Sequence, residues 1–136
     1  MGHLLLSQEH PLLRPATVAL GIALALFSAP AIFFPRFFGR QVGLTVPDEP
    51  SAVAIRSVAI RDTVMGVGLV SAAWHGSRLA PWLLIRALCD GGDAAAIGLA
   101  FVRGGGSPRL GALGVLALGA AVYDAVLWRL AGSSRD

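Results

Sequence analysis

Seven ionisable side chains sit inside otherwise apolar runs of this sequence: Arg56, Arg61, Asp62, Arg86, Asp90, Asp93 and Asp124, with Tyr123 beside the last. Their spacing decides which of them can act together. Arg86, Asp90 and Asp93 are four and three residues apart, so a helix lines them up as one stripe, which Ile97 and Ala100 continue. Arg61 and Asp62 are neighbours, about 100° apart around a helix, so they can border one cavity without pointing the same way. On the last apolar run Ala117, Ala120, Asp124 and Trp128 share a face.

Counting charge turns this pattern into chemistry. The deep set holds four acids (Asp62, Asp90, Asp93, Asp124) against two arginines (Arg61, Arg86). Low dielectric and like charge both disfavour the ionised carboxylate, so at least one of the four aspartates is expected to carry its proton at neutral pH. Arg56 joining the cluster would reduce the acidic excess by one. A protonated Asp beside a fixed Arg suits a general acid, and a protonated Asp deep in a membrane equally suits a proton-coupled carrier. Metal chemistry has no support: His3, His10 and His75 lie outside or at the ends of the apolar runs, and no Cys/His set has ligand spacing. Cys89 is the only cysteine, which excludes an intrachain disulfide, and it reads as a packing thiol. The glycine run 104–106 lacks the Lys-Ser/Thr of a phosphate loop and a preceding strand, so it reads as a turn. No cofactor motif is visible, which makes cofactor-free chemistry the consistent expectation.

The elements that must position these residues follow from composition. Of 136 residues, 55% are hydrophobic and 14% charged, and mean hydropathy is +0.70. Such a chain has too few charges for disorder and too much apolar surface for a small soluble domain. The expectation is an all-α integral membrane protein, a single four-helix transmembrane bundle over 1–136 with both termini on one side. Its spans are about 16–34, 52–75, 80–102 and 110–130, each close to the ~20 residues a bilayer requires. Pro35-Arg36 ends the first, the stretch 46–51 precedes the second with Asp48 or Ser51 as cap, and 76–78 and 104–109 separate the rest. The first run, uncharged from Pro15 to Pro35, is longer than a signal peptide's apolar region of roughly 7–15 residues. The net charge of +3 comes with arginines spread along the chain and no basic run, so nucleic acid is not an expected partner.

This topology puts Trp74, Trp82 and Trp128 at one membrane face, as an aromatic belt would, and Phe33, Phe34, Phe37 and Phe38 at the other. Arg14, Arg78, Arg129 and Arg135 balance Arg36, Arg40, Arg103 and Arg109, so orientation stays open. The expected location is the bacterial cytoplasmic membrane. Small residues recur at four-residue spacing in Gly21, Ala25 and Ala29, in Gly111, Val115 and Gly119, and in Ala117, Ala121 and Ala125. Such rows allow close helix approach, either within the chain or in a homo-oligomer. Depth at ~1.5 Å per residue places Arg86 and Asp124 both about 9 Å below one face, so they should pair. Asp62 and Asp93 both fall about 20 Å down, where Arg61 should pair with Asp93. Asp90 lies between the two levels, and Arg56 reaches toward the opposite face by snorkelling.

The stretch Arg56-Ser57-Val58-Ala59-Ile60-Arg61-Asp62, running on to Gly66 and Gly68, is joined later by Arg86 and by Asp90-Gly91-Gly92-Asp93. Together these resemble a family of small bacterial and fungal four-helix membrane proteins of unknown function. That family carries an Arg-x4-Arg-Asp/Glu-x3-Gly signature in its second helix and an Arg–Asp pairing in its third. The resemblance covers about residues 16–130 and puts weight on Arg56, Arg61, Asp62, Gly66, Arg86, Asp90 and Asp93. It implies the membrane fold and supplies no activity, although members often sit near biosynthetic genes.

Three functions suit these features. The first is a cofactor-free hydrolase, isomerase or cyclase acting on a lipophilic small molecule within the lipid bilayer, by epoxide opening, isomerisation or cyclisation. Asp62, Asp90 and Asp93 would be its acids and bases, with Arg61 and Arg86 orienting them or stabilising negative charge. Arg56, Asp124 and Tyr123 would contact substrate. The alternatives are a small proton-coupled transporter or channel, and an accessory subunit of a larger membrane complex.

Overall fold

The computed structural model describes residues 11–133; His3, His10 and Arg135 lie outside the described residues. Five helices and no strand are found among them: α1 (Leu13–Phe33), α2 (Pro35–Val42), α3 (Glu49–Trp74), α4 (Ala80–Val102) and α5 (Pro108–Ser133). The expectation of an integral four-helix bundle is corrected in two respects. A fifth, short helix occupies 35–42, and only α1 and α5 are long and apolar enough to cross a membrane. The second correction has a plain cause. The segments taken as spans 52–75 and 80–102 do become α3 and α4, but α3 carries Glu49, Arg56, Arg61 and Asp62, and α4 carries Arg86, Asp90 and Asp93. Each centrally placed charge costs about 2.5–3.5 kcal/mol on insertion scales. Length between breakers therefore overstated how apolar these two segments are.

The extra helix has a local explanation. Pro35 does end α1, but it also occupies the first turn of α2, where its missing N–H costs nothing and its fixed φ already suits a helix. Gly43 closes α2 at φ 82°, a left-handed cap conformation that glycine adopts without strain. Phe38 stacks edge-on against Phe27, with ring centroids 5.3 Å apart, which ties α2 back onto α1. The start of α3 is set by Asp48, whose side chain accepts the Ser51 N–H at 2.9 Å. Those two bonds from Ser51, backbone and hydroxyl, hold the Asp48 carboxyl below its ordinary range.

The long helices form two antiparallel hairpins. In the first, α1 and α3 cross where Gly21 and Gly66 meet backbone to backbone; a Cβ on Gly66 would lie 2.5 Å from the Gly21 carbonyl oxygen. Ala25 also borders this crossing, so the first small-residue row is an interface within the chain. Ser28 and Thr63 share a hydroxyl bond of 2.9 Å further along. The second hairpin, α4 with α5, packs Gly114 over Ile97 and Gly111 over the Phe101 ring. The rest of the Gly111, Val115 and Gly119 row makes no such contact, since Gly119 faces open space and Val115 is exposed.

The hairpins join at one end through Leu13, Leu69, Leu79, Leu83 and Leu127, which brings the start of α1 beside the end of α5. Trp82 covers Gly68 so closely that a Cβ there would collide with its ring. That residue is therefore a packing element, whereas Trp74 is exposed. At the opposite end Ser107 Oγ donates to the Gly43 carbonyl (3.3 Å) and Arg109 to the Arg40 carbonyl (3.1 Å), closing α5 onto the end of α2. Polarity is inverted over much of this assembly. Arg86, Asp90 and Asp124 are buried while Leu26, Phe33, Val102 and Val115 are exposed. Only 28% of the most apolar stretch of α1 and 17% of that of α5 is buried, so these helices are not apolar because they fill a core.

Candidate functional site

Arg86 organises the buried charges. It projects from the first half of α4 onto a level shared by α3 and α5, and its side chain is 5% exposed. One turn further along its own helix, Asp90 pairs with Nη2, as four-residue spacing on a helix dictates. From α3, Asp62 Oδ1 accepts from Nη1 at 3.3 Å. From α5, Asp124 Oδ2 lies 3.9 Å from Nε, an ion-pair distance too long for a hydrogen bond. Three acids from three helices thus surround one guanidinium.

A second arginine extends the cluster outward. Arg61 donates to Asp93 Oδ2 at 2.7 Å and, more weakly, to Oδ1 at 3.5 Å. Arg61 Nε also donates to Asp62 Oδ1 at 3.0 Å. Asp62 is therefore the link, accepting from both arginines through one oxygen. Adjacent positions on a helix diverge, as the geometry of α3 requires, but the long Arg61 side chain folds back to reach its neighbour. Exposure falls steeply along this chain of charges. The Arg61 and Asp93 side chains are 34% and 35% exposed, Asp62 14%, Asp90 5% and Asp124 0%.

The inner end is poorly satisfied. Arg86 Nε, Asp90 Oδ2 and both oxygens of Asp124 are buried without a hydrogen-bond partner among the described residues. The carboxyls of Asp90 and Asp124 both approach the one Arg86 guanidinium. Two ionised carboxylates there exceed the single positive charge between them, an excess that one proton would remove. Buried polar groups left unmatched cost roughly 1–3 kcal/mol each, which makes this the most unsettled point of the fold.

The sequence-derived candidates divide cleanly in space. Arg61, Asp62, Arg86, Asp90, Asp93 and Asp124 come together. Arg56 does not: its Nη1 donates to Glu49 at 2.5 Å and its Nε to the Ile32 carbonyl at 3.3 Å. Tyr123 is 44% exposed on α5, outside the cluster, although its neighbour Asp124 is fully buried. Cys89 is partly buried, and His75 bonds the Ser71 carbonyl. Among the described residues no group of His, Cys, Asp or Glu is arranged to hold a metal ion. Two partners escaped the sequence reading. Thr63 follows Asp62 directly and bonds Ser28 across the α1–α3 interface; a hydroxyl next to the Arg-Asp pair was the available signal. Glu49 gathers Arg36 (3.4 Å) and Arg56 (2.5 Å) at the start of α3.

Two surface cavities lie apart from the cluster. An apolar groove of about 420 Å³ runs over the α1–α3 crossing between Leu26 and Trp74. A polar cavity of about 540 Å³ lies between the end of α2 and the start of α5. No protein-family model, curated protein or solved structure matches the chain.

Proposed function

We propose that the protein crosses a membrane with α1 and α5 and carries a cofactor-free acid–base site for a lipophilic small molecule. The reaction class is epoxide opening, isomerisation or cyclisation. The observation that supports this most is the unmatched inner pair, Asp90 and Asp124 beside Arg86. From there Asp62 extends the ionic network to the accessible Arg61–Asp93 edge. At that edge a substrate dissolved in the apolar phase meets a carboxyl group and a guanidinium together. Asp93 and Asp62 act on the substrate as acid and base, Arg61 stabilises developing negative charge, and Arg86 fixes the positions of the inner acids. The residues on which the resemblance to a small membrane-protein family rests include members of this network. Arg61 and Asp62 are the link of the network, and Gly66 is the helix crossing that sets α3 against α1.

The graded exposure from Asp93 to Asp124 favours a second reading, a proton-coupled carrier, in which the same acids bind and release protons. One experiment separates the two. Protein purified in mild detergent is extracted, its co-purifying lipophilic compounds are identified by mass spectrometry, and each is offered back to the protein. Conversion that is lost in Asp62→Asn, Asp90→Asn and Asp93→Asn supports the enzyme. Full conversion in all three variants overturns it. Proton-driven flux in proteoliposomes without conversion selects the carrier.

A further inference from the structure

We propose that the end of the molecule built from α2, the loop after it and the first turn of α5 binds the phosphate headgroup of an anionic phospholipid. The inference rests on the membrane crossing by α1 and α5, and is independent of the acid–base chemistry. α1, one of the two membrane-competent helices, runs directly into α2 with a single residue between them, so α2 lies where the chain leaves the apolar phase. Its buried face is Pro35 and Gly39, which leaves Arg36, Phe37 and Arg40 outward. Phe33, Phe34 and Phe37 are 71%, 65% and 55% exposed. Exposed aromatic and basic side chains side by side on a short helix are the pattern of a segment resting in the headgroup layer.

The cavity behind this face supplies the headgroup site. Its walls carry Arg40, Arg109 and Ser107 and no carboxylate. The nearby acid, Glu49, is already engaged by Arg36 and Arg56. Arg109 is held in place by its bond to the Arg40 carbonyl (3.1 Å), while Arg40 and Arg103 pair with no carboxylate among the described residues. Two guanidinium groups on one concave wall match a phosphodiester, whose oxygens accept their forked donors. The outward phenylalanines would then sit against the acyl chains. Inorganic phosphate fits the same guanidinium pair but has nothing for Phe33, Phe34 and Phe37 to touch.

The test uses the full chain in detergent micelles, with retained lipid counted by native mass spectrometry. Phosphatidylglycerol should be retained over phosphatidylcholine, and raised salt should weaken that preference. At about 1 kcal/mol per basic residue near an anionic surface, Arg40→Gln with Arg109→Gln should cut the preference roughly tenfold or more. Arg40→Gln alone, which removes no bond to a carboxylate, should show part of that loss even if the double variant misfolds. Arg14→Gln with Arg129→Gln, at the other end, should leave the preference intact. Equal retention of both lipids, or an unchanged preference in the Arg40 variants, overturns the site. So does competition by equimolar inorganic phosphate, which would identify a free-phosphate site instead. The crossing is read separately, by resistance of vesicle-reconstituted protein to alkaline carbonate extraction. Protein that resists extraction but shows no lipid preference loses the headgroup site and keeps the crossing.

Discussion

The protein contains two ionic clusters of opposite composition in opposite surroundings. Around Arg86 and Arg61, two arginines face four acids and burial deepens to completeness at Asp124. Around Glu49, two arginines face one acid in the open, with Glu49 itself 59% exposed. Distance does not separate them: the exposed pairs measure 2.5 and 3.4 Å, and the buried cluster runs from the close Arg86–Asp90 pair through Arg61–Asp93 at 2.7 Å to Arg86–Asp124 at 3.9 Å. Energetically they differ. Water replaces an exposed partner at little cost, and such pairs are typically worth about 0–1 kcal/mol. A buried charge stripped of its partner has no such substitute. Surroundings, more than separation, therefore decide which cluster the fold depends on.

Arg86→Leu is the sharpest way to break this contrast. It leaves Asp62, Asp90 and Asp124 around an empty centre and should destabilise by about 3–5 kcal/mol, read as a large drop in the melting temperature of the detergent-solubilised protein. Adding Asp90→Leu should recover part of that loss, because the pair is then replaced by apolar side chains. Arg61→Gln comes next, at about 1 kcal/mol, since its pair with Asp93 is one-third exposed and water can substitute. Asp124→Asn should change stability by less than about 1 kcal/mol, because a neutral amide of the same shape removes one of three acids crowded around a single guanidinium. A loss as large as that of Arg86→Leu would show that all three acids are needed as charged partners of Arg86. In infrared difference spectra Asp124→Asn should remove a protonated-carboxyl band.

The smallest effect belongs to Glu49→Gln, which should lower the melting temperature at neutral pH only slightly, because the pair it breaks is exposed. Hydrogen bonding and attraction from Arg56, with Arg36 adding to it, hold the Glu49 carboxyl below its ordinary value of 4.5. A carboxylate lowered in the folded state contributes stability above its unfolded pKa and loses it as pH falls through the folded one. Glu49→Gln should accordingly remove a small contribution at neutral pH and flatten the acid limb of the stability–pH curve, so that variant and parent converge below the ordinary carboxylate range.

Much of the buried cluster could be read from helical arithmetic. Four-residue spacing joined Arg86 to Asp90, and counting rises from the helix ends brought Arg61 to Asp93 and Arg86 to Asp124. These inferences succeed because antiparallel helices of similar length match depth to depth. Arithmetic fails where a long side chain has a choice. Arg56 turns to Glu49, seven residues back, and to a carbonyl on α1, and Arg61 curls onto Asp62. Pro35 misled for a different reason: a proline that stops one helix also starts one well, and only the left-handed turn at Gly43 completes the evidence for α2. The apolar runs were overcounted as spans because a window of length says little about a segment that carries three or four charges, as α4 and α3 do. The Ser28–Thr63 bond has no signature in periodicity at all, since it depends on how closely Gly21 and Gly66 let α1 approach α3.

The distribution of partners along the chain bears on how the protein is made. Asp62 and Asp90 each have an arginine on their own helix, Arg61 and Arg86, so α3 and α4 each arrive with part of their charge already answered. Asp93 and Asp124 have none at helical spacing, and each finds its arginine on a helix synthesised earlier. During translation from the N-terminus, both of these acids emerge after their partners. A circular permutant beginning at α4 would reverse this order for Asp93, which would then be made before Arg61 exists.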